Sequence, residues 1–342
     1  MKGLSWFNKF LFFLNSIFAG ALLFAYLLPF IPPKTFALLS VFSLAVPFFI
    51  IINLLFLCYW LLMLKKQLLL PLIVLLVGFN HLTSIYEFSN SEEEVREPGT
   101  IKLLSYNVKQ FNLFRWDKKK NIPQKIADFI AEEDPDIMAF QEYYNGELKV
   151  AKNFPHKYLK IREKQAEFGL AILSKYPIIN SGSVDFPTKS NNNAIYADIV
   201  IGSDTVRVIN VHFQSYSLKP RFDNLEQEHS KRVFLGMSNT FVKQQEQMEM
   251  VLEVVKASPY RNIIMGDFNN TAYSYIYREI RSEGFNDAYK EEGNGFGRSF
   301  DFNYFPLRID YIMPDESFEI LTFETKEVHY SDHFPIMSNI RL

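Results

Sequence analysis

The first 88 residues contain three long stretches without a charged side chain, at positions 10–31, 35–64 and 68–86. Each reaches or nearly reaches the roughly 20 residues that a helix needs to cross the hydrocarbon core of a bilayer. A buried helical core and a cleaved signal peptide are the alternatives. Uncharged runs of this length are rare in soluble domains, and the first run continues far past the small residues at 19–21. We therefore predict a membrane domain at 1–88 with three transmembrane helices.

The placement of lysine predicts the orientation of these helices. Lys2 and Lys9 precede the first helix and Lys65 and Lys66 fill the second loop, whereas the first loop holds only Lys34. Positively charged loops stay on the cytoplasmic side, which puts the N-terminus inside. Three spans predict a multi-pass protein of the cytoplasmic (inner) membrane whose remaining chain is extracytoplasmic. If the third stretch does not span, that orientation reverses.

A polar, acidic segment that ends in Pro-Gly, SNSEEEVREPG at 89–99, is typical of a linker. Residues 100–342 then form a domain that is long enough to bury a substantial core. After position 89 the chain has 31 basic and 37 acidic residues, so it is poorly suited to long nucleic acid, whose phosphates bind Lys and Arg. The single cysteine, Cys58, lies in an apolar stretch, which excludes a disulfide framework and thiol catalysis.

Several short apolar segments of the second part predict β-strands, and each of them delivers a polar residue. Residues 121–132 and 228–256 have instead the apolar spacing of helices. Alternating strands and helices predict an α/β architecture of packed sheets and helices. The strand segments are IKLLSYNV (101–108), DIMAFQE (136–142), VRVINVHF (206–213), NIIMGDFN (262–269), RIDYIM (308–313) and VHYSDHFPI (328–336).

The polar residues at these strand ends predict a shared site. Taken singly each has a structural explanation, since Asn107 could cap a turn and His212 could be a satisfied core histidine. Six strand ends with the same design are more informative than any one of them. Gathered carboxylate and amide oxygens favour Mg²⁺ or Mn²⁺, and the histidines add proton donors or cations for a charged substrate.

The ordered set of motifs resembles the endonuclease/exonuclease/phosphatase superfamily over about 101–342. The resemblance implies a four-layer sandwich, in which two packed β-sheets are flanked by helices. It also implies divalent-metal-dependent hydrolysis of a phosphate ester. The motifs that carry it are, in chain order, SYNV, FQE, GLAILSKYPI, NVHF, GDFN, RIDYI and SDHFPI.

On the metal side, the resemblance implies three oxygen ligands for Mg²⁺ or Mn²⁺. Glu142 matches the main metal-ligating glutamate, and Asp332 is a further carboxylate on the metal side. Asn107 matches an asparagine that helps to organise both the metal and the phosphate.

On the catalytic side, the resemblance implies a role for five residues. Asp267 orients or deprotonates the attacking water, and Asn269 hydrogen-bonds the phosphate. His333 contacts the scissile phosphate while Asp310 holds its ring. His212 is a candidate for protonating the leaving group or for binding the phosphate.

The substrate stays open between two kinds of phosphate ester. A membrane anchor and an acidic domain favour a phospholipid or a small phosphodiester, with the loop 214–231 as the substrate-facing segment. The alternative is a membrane-tethered endonuclease or exonuclease acting on DNA. A catalytically inactive binding scaffold is a third reading, disfavoured because the polar set is complete. The bilayer and the phosphate ester are the expected partners, and no protein partner is inferred.

Overall fold

The computed structural model describes residues 4–88, 99–113, 121–144, 153–161, 168–187, 192–216, 227–302 and 305–342, without the side chains of 227–230. Residues 89–98 of the predicted linker and 217–226 of the predicted substrate-facing loop lie outside the described residues.

The chain forms two compact units that interleave along the sequence. We call them the first unit and the second unit. The first unit comprises Met1–Tyr86, Ser217–Gln245 and Thr271–Arg278, and the second comprises Glu87–Tyr216, Glu246–Asn270 and Glu279–Leu342.

Apolar helices dominate the first unit. Side-chain hydrogen bonds link neighbouring helices: Trp60 Nε1 donates to Asn15 Oδ1 at 3.1 Å, and Tyr59 Oη donates to Asn8 Oδ1 at 2.7 Å. Such pairs hold apolar helices together where water is absent. The helices are α1 (Trp6–Ala25), α2 (Pro33–Ser40), α3 (Val46–Leu62), α4 (Leu69–Val77) and α5 (Phe79–Leu82), with 3₁₀ turns at Leu28–Phe30, Val41–Ala45 and Lys66–Leu68.

Two helical stretches of the described chain, Trp6–Phe30 and Pro33–Leu62, are long and apolar enough to cross a membrane. The prediction of a third transmembrane helix at 68–86 is wrong. The helical run there is Lys66–Val77, which at 1.5 Å per residue spans roughly 18 Å, against a hydrocarbon core of about 30 Å. The run ends at Gly78, and the Thr83 and Ser84 hydroxyls that follow donate to the Asn80 carbonyl.

Two large β-sheets form the framework of the second unit. The strands of the described chain are β1 (Tyr86–Phe88), β2 (Thr100–Asn107), β3 (Ile137–Tyr144), β4 (His156–Ile161), β5 (Phe168–Ser174), β6 (Ile178–Val184), β7 (Asn193–Ile201), β8 (Asp204–His212), β9 (Arg261–Asp267), β10 (Asn294–Phe296), β11 (Phe300–Phe302), β12 (Phe305–Leu307), β13 (Asp310–Pro314), β14 (Glu319–Thr325) and β15 (Ile336–Arg341). The six-stranded sheet has the order β14-β15-β2-β3-β5-β4, and the five-stranded sheet has the order β13-β9-β8-β7-β6.

The two sheets pack face to face over one apolar core. Leu103 and Ile172 reach this core from the six-stranded sheet, and Val208 and Met265 reach it from the five-stranded sheet. Alternation along each strand sends one set of side chains inward, because successive residues point to opposite faces. Each fully buried side chain of this size contributes about 1.5–3 kcal/mol relative to an exposed one.

Helices cover the outer faces of both sheets. Ile126 and Ile130 of α6 (Ile122–Glu133) share an apolar cluster with Met138 on the far side of the six-stranded sheet. On the five-stranded sheet, Arg207 Nη1 donates to the carbonyl of Val254 in α7 at 3.2 Å. The prediction of an α/β fold with packed sheets and flanking helices is confirmed. The remaining helices are α7 (Gln227–Lys256), α8 (Tyr275–Ser282) and α9 (Ala288–Glu292).

Candidate active site

Strand pairing brings polar residues to one edge of the sandwich. In the parallel pair β2 and β3, Asn107 lies opposite Gln141, and in the parallel pair β8 and β9, His212 lies opposite Asp267. β13 runs antiparallel to β9 and begins with Asp310 opposite Asp267. The carboxyl ends of parallel strands meet at the same edge, so both sheets deliver polar side chains to one place.

Asp267 is the centre of this site. It is fully buried, and its Oδ2 accepts from Asn107 Nδ2 at 3.1 Å while its Oδ1 accepts from the backbone N–H of Asn269 at 2.8 Å. Nε2 of His212 lies 3.6 Å and Nε2 of His333 3.7 Å from the same Oδ2. Burial raises the pKa of Asp267 to about 7, although His333 opposes the shift.

Gly266 allows this carboxylate to lie so close to the neighbouring strand. Its φ of +139° belongs to a region that side chains rarely adopt, and a Cβ at this position would lie 2.1 Å from the carbonyl oxygen of Val211. After the strand, Asn269 has a φ of +49° and its Nδ2 donates to the Phe213 carbonyl at 3.0 Å. The GDFN segment is thus a tight turn that holds Asp267 and Asn269 together.

His333 is held by Asp310. Its Nδ1 lies 2.9 Å from Asp310 Oδ2 and 3.2 Å from Oδ1, and the ring edge of Phe300 packs against it with 4.8 Å between ring centroids. Burial alone would lower the pKa of His333, but the Asp310 and Asp267 carboxylates raise it to about 10. His333 is therefore a cation at neutral pH with Nε2 turned toward Asp267.

His212 has the opposite electrostatic character. Burial, reinforced by the neighbouring His333 cation, lowers the pKa of His212 to about 3. The imidazole is therefore neutral at neutral pH, which suits it to hydrogen bonding and makes it a poor proton donor.

A β-bulge places Glu142. β3 pairs with β5 through Phe140 opposite Ala171 and then Tyr143 opposite Gly169, so that two residues of β3 face one residue of β5. Glu142 has a φ of +53° in this bulge. Bulges turn a side chain out of the regular alternation and are common beside active sites. Burial, with Asp332 adding to it, raises the pKa of Glu142 to about 6.

The motif patterns missed two polar side chains on this side of the site. Lys109 Nζ lies 2.6 Å from Asp332 Oδ2, and Gln110 donates from Nε2 to a Glu142 oxygen. Burial would raise the pKa of Asp332, but the His333 and Lys109 cations hold it below its usual value. The available signal was the position of Lys109 and Gln110 directly after SYNV, where the chain leaves a strand that ends at the site.

Two serines were also missed, because they lie far from their partners in the sequence. Ser299 Oγ accepts from the backbone N–H of Asp310 at 3.0 Å, which fixes the start of β13. Ser331 Oγ donates to the Asn107 carbonyl at 2.8 Å and accepts from the His333 N–H at 3.2 Å. Both serines position backbone and would be found only from the three-dimensional contacts.

The structure thus groups the predicted residues into two neighbouring sets. Asn107, Asp267, Asn269, Asp310, His212 and His333 form a hydrogen-bonded or closely packed centre. Glu142 and Asp332 lie beside it, each engaged by a residue of the turn after β2.

The residues present fit a hard divalent cation. Asn107, Glu142 and Asp332 offer oxygen atoms, which Mg²⁺ and Mn²⁺ prefer, and the raised pKa of Glu142 reflects a buried carboxylate that a cation would stabilise. Asp267, Asp310 and His333 also have ligand atoms within 4.8 Å of one another. In that second group Asp310 Oδ2 already lies 2.9 Å from His333 Nδ1.

The fold and this polar edge define a class, the sandwich-fold hydrolases of phosphate esters. A family model described as "Endonuclease/Exonuclease/phosphatase family" matches residues 104–333, more than half of the chain. The chain belongs to this family, whose members hydrolyse phosphate esters. Residues 8–85 match a family described as a domain of unknown function.

Solved structures support the same fold. An endonuclease/exonuclease/phosphatase from Beutenbergia cavernae is 16% identical with a TM-score of 0.52, covering 71% of this chain and 72% of its own. A mannosyl-6-phosphatase from Bacteroides thetaiotaomicron is 19% identical with a TM-score of 0.55, covering 71% and 100%. D. rerio TDP2 complexed with single strand DNA product is 15% identical with a TM-score of 0.54, covering 71% and 99%. At these identities the likeness is one of fold. A search of curated proteins finds no match.

Proposed function

We propose that this protein is a membrane-anchored, divalent-metal-dependent phosphoesterase. One observation carries the proposal: Asn107, His212 and His333, from three separate segments, all lie within 3.7 Å of a single buried oxygen, Asp267 Oδ2. Phosphoryl chemistry depends on positioning and on neutralising charge. A buried carboxylate beside one cationic and one neutral histidine supplies both.

Each residue has a distinct role in the proposed hydrolysis. Asp267 takes the proton of the attacking water, whose oxygen bonds to phosphorus as the bond to the leaving oxygen breaks. His333, held as a cation by Asp310, donates to a phosphoryl oxygen, where its charge stabilises the transition state. Neutral His212 and the amide of Asn269 bind the phosphate, and the leaving oxygen takes its proton from solvent.

Glu142, Asn107 and Asp332 are the proposed metal ligands. A bound Mg²⁺ or Mn²⁺ supplies charge neutralisation and polarises the phosphate. The bulge at Glu142 supports this assignment, since it turns the carboxylate toward Asn107 and Asp332 instead of leaving it in the regular strand alternation.

The proposed substrate is a phospholipid or a small phosphodiester. The domain after position 89 carries more acidic than basic residues, which disfavours long nucleic acid. The first unit exposes large apolar side chains such as Trp6, Phe13 and Leu62, at 83%, 60% and 84% of their surface, and an apolar surface of this kind supports membrane contact. An enzyme anchored in a bilayer meets lipid headgroups at high local concentration.

The anchor is proposed to be a hairpin of two spanning helices, Trp6–Phe30 and Pro33–Leu62. Lysines near positions 2–9 and at 65–66 flank the hairpin on one side, and only Lys34 lies in its turn. By the positive-inside rule the lysine-flanked ends of the hairpin are cytoplasmic. Its turn is on the opposite side, and there the backbone N–H of Lys34 donates to Gln245 Oε1 at 2.9 Å.

The test is a substrate panel on the full chain in detergent micelles, with Mg²⁺ or Mn²⁺. The panel contains mixed phospholipids, bis-p-nitrophenyl phosphate, p-nitrophenyl phosphate and single-stranded DNA. We expect turnover of the lipid or the small diester, abolished by chelator and by Asp267→Asn. Preference for DNA would favour the nuclease alternative. No turnover with any phosphate ester, together with unchanged behaviour of Asp267→Asn, would favour the inactive scaffold and refute the proposal.

A further inference from the structure

The chain leaves β2 through a left-handed turn. Lys109, Gln110, Phe111 and Asn112 have φ angles of +44°, +50°, +51° and +64°. Residues other than glycine visit this region as single residues, because Cβ then crowds the following carbonyl oxygen. Four in succession are strained, and such strain persists only where the surroundings enforce it, commonly at functional sites.

The surroundings that enforce the turn can be named. Phe111 is buried and its ring packs edge-on against Tyr143 with 5.5 Å between centroids, while its N–H donates to the Val108 carbonyl at 2.9 Å. The N–H of Lys109 donates to Asn107 Oδ1 at 3.1 Å. The turn is therefore fixed at its start by a residue of the site and at its middle by the apolar core.

The turn directs two side chains onto the two carboxylates of the proposed metal centre. Gln110 donates to Glu142, and Lys109 Nζ lies 2.6 Å from Asp332 Oδ2. The other carboxylate oxygen, Asp332 Oδ1, lies 3.2 Å from Ser331 Oγ. The ammonium group thus takes one face of Asp332. A divalent ion close to that face would meet a positive charge at contact distance.

We propose that the Lys109 ammonium is a fixed cation of this centre, which occupies the Oδ2 side of Asp332 and limits the site to one divalent ion. The inference rests on the proposed function, because it assumes that Glu142 and Asp332 hold a metal. Charge balance supports it: Glu142 and Asp332 together carry two negative charges, and with one of them neutralised by lysine a second divalent ion would lack the compensation it needs. Gln110, which is neutral, leaves Glu142 available to the single ion.

The experiment titrates Mn²⁺ into the full chain in detergent at neutral pH, with stoichiometry and affinity read by calorimetry. Electron paramagnetic resonance on the same samples reports coupling between neighbouring Mn²⁺ ions. We expect one ion for the wild type and for Lys109→Arg, which keeps the charge. Lys109→Met and Lys109→Gln should bind a second ion. They should also bind the first on the order of tenfold to a hundredfold more tightly, the range set by a unit charge at contact distance.

The control is Lys326→Met, which removes an ammonium group that is paired with Glu133 and Glu324 outside the site. The two lysine side chains are similarly exposed, at 27% for Lys326 and 30% for Lys109. Lys326→Met should bind Mn²⁺ as the wild type does. If both neutral Lys109 variants still bind one ion and have wild-type melting curves, the inference is overturned while the proposed function stands. Two ions in the wild type would also overturn it. A wild type that binds no Mn²⁺ would refute the proposed function, and with it the premise.

Discussion

Replacing Gly266 by alanine tests whether the GDFN turn is built on a close approach of two backbones. A Cβ at this position would lie 2.1 Å from the carbonyl oxygen, 2.8 Å from the nitrogen and 3.0 Å from the carbonyl carbon of Val211. All three atoms are backbone, so no side chain can swing aside. β9 must then move away from β8 by about 1 Å, since ordinary contacts begin near 3.4 Å.

The expected loss of stability in Gly266→Ala has two parts. Holding a side chain at a φ of +139° costs about 1–3 kcal/mol, and forcing extra volume into a packed region costs about 1–3 kcal/mol. Together they predict a loss of roughly 4 kcal/mol in the free energy of unfolding. For a domain of this size that corresponds to a fall in Tm of about 10 °C. Displacing the Asp267 carboxylate by about 1 Å should also lower kcat on the order of 100-fold.

Thermal unfolding of the full chain in detergent, followed by circular dichroism, measures the stability change. Two glycines provide controls. Gly236→Ala in α7 meets no atom within 4 Å and should leave Tm unchanged or raise it. Gly202→Ala also meets open space but has a φ of +62°, so it isolates backbone strain from steric overlap. A Gly266→Ala variant that melts no lower than Gly202→Ala would refute the close-approach argument.

Three further predictions concern the site and the anchor. Glu142→Gln should abolish chelator-sensitive turnover and weaken Mn²⁺ binding in calorimetry without changing Tm by more than about 2 °C. Unchanged Mn²⁺ binding would show that Glu142 is not a ligand of the metal. Asp267→Asn and His333→Ala should each lower kcat by about 100-fold or more with little change in KM. The double mutant should lose less kcat than the product of the two single losses, because both residues act on one phosphate. A near-normal kcat in either single mutant would contradict the assigned roles. A reporter that works only in the cytoplasm should be active when it is fused after Lys66. Activity there of a reporter that works only outside the cytoplasm would contradict the two-helix hairpin.

The α/β fold could be predicted because short β-branched strands and amphipathic helices each obey a local rule. The strand-end residues Asn107, His212 and Asp267 also followed from such a rule, since parallel strands bring their carboxyl ends to a common edge. The third apolar stretch was wrongly predicted to be a transmembrane helix, because its composition is that of a spanning helix. Its length depends on where Gly78 ends the helix, and the hydroxyl groups that follow compete for backbone carbonyls.

The supporting residues could not be predicted, because their roles depend on contacts between distant parts of the chain. Ser299 fixes the N–H of Asp310 and Ser331 fixes the carbonyl of Asn107. No periodicity relates these positions. Likewise Lys109 lies 223 positions from Asp332, and only the folded turn brings the two together.

Backbone strain explains why the metal side of the site is the hardest part to predict from the sequence. Among the described residues, nine other than glycine have a positive φ, and six of them are the four residues of the turn 109–112 together with Glu142 and Asn269. Propensity and periodicity describe unstrained backbone, so they fail where the fold holds residues in a disfavoured region. The same concentration of strain argues for function: a fold that needed only stability would place glycine at these positions, whereas Lys109, Gln110 and Glu142 each carry a side chain that reaches another residue of the site. The strain at this edge therefore accompanies the side chains that the proposed chemistry requires.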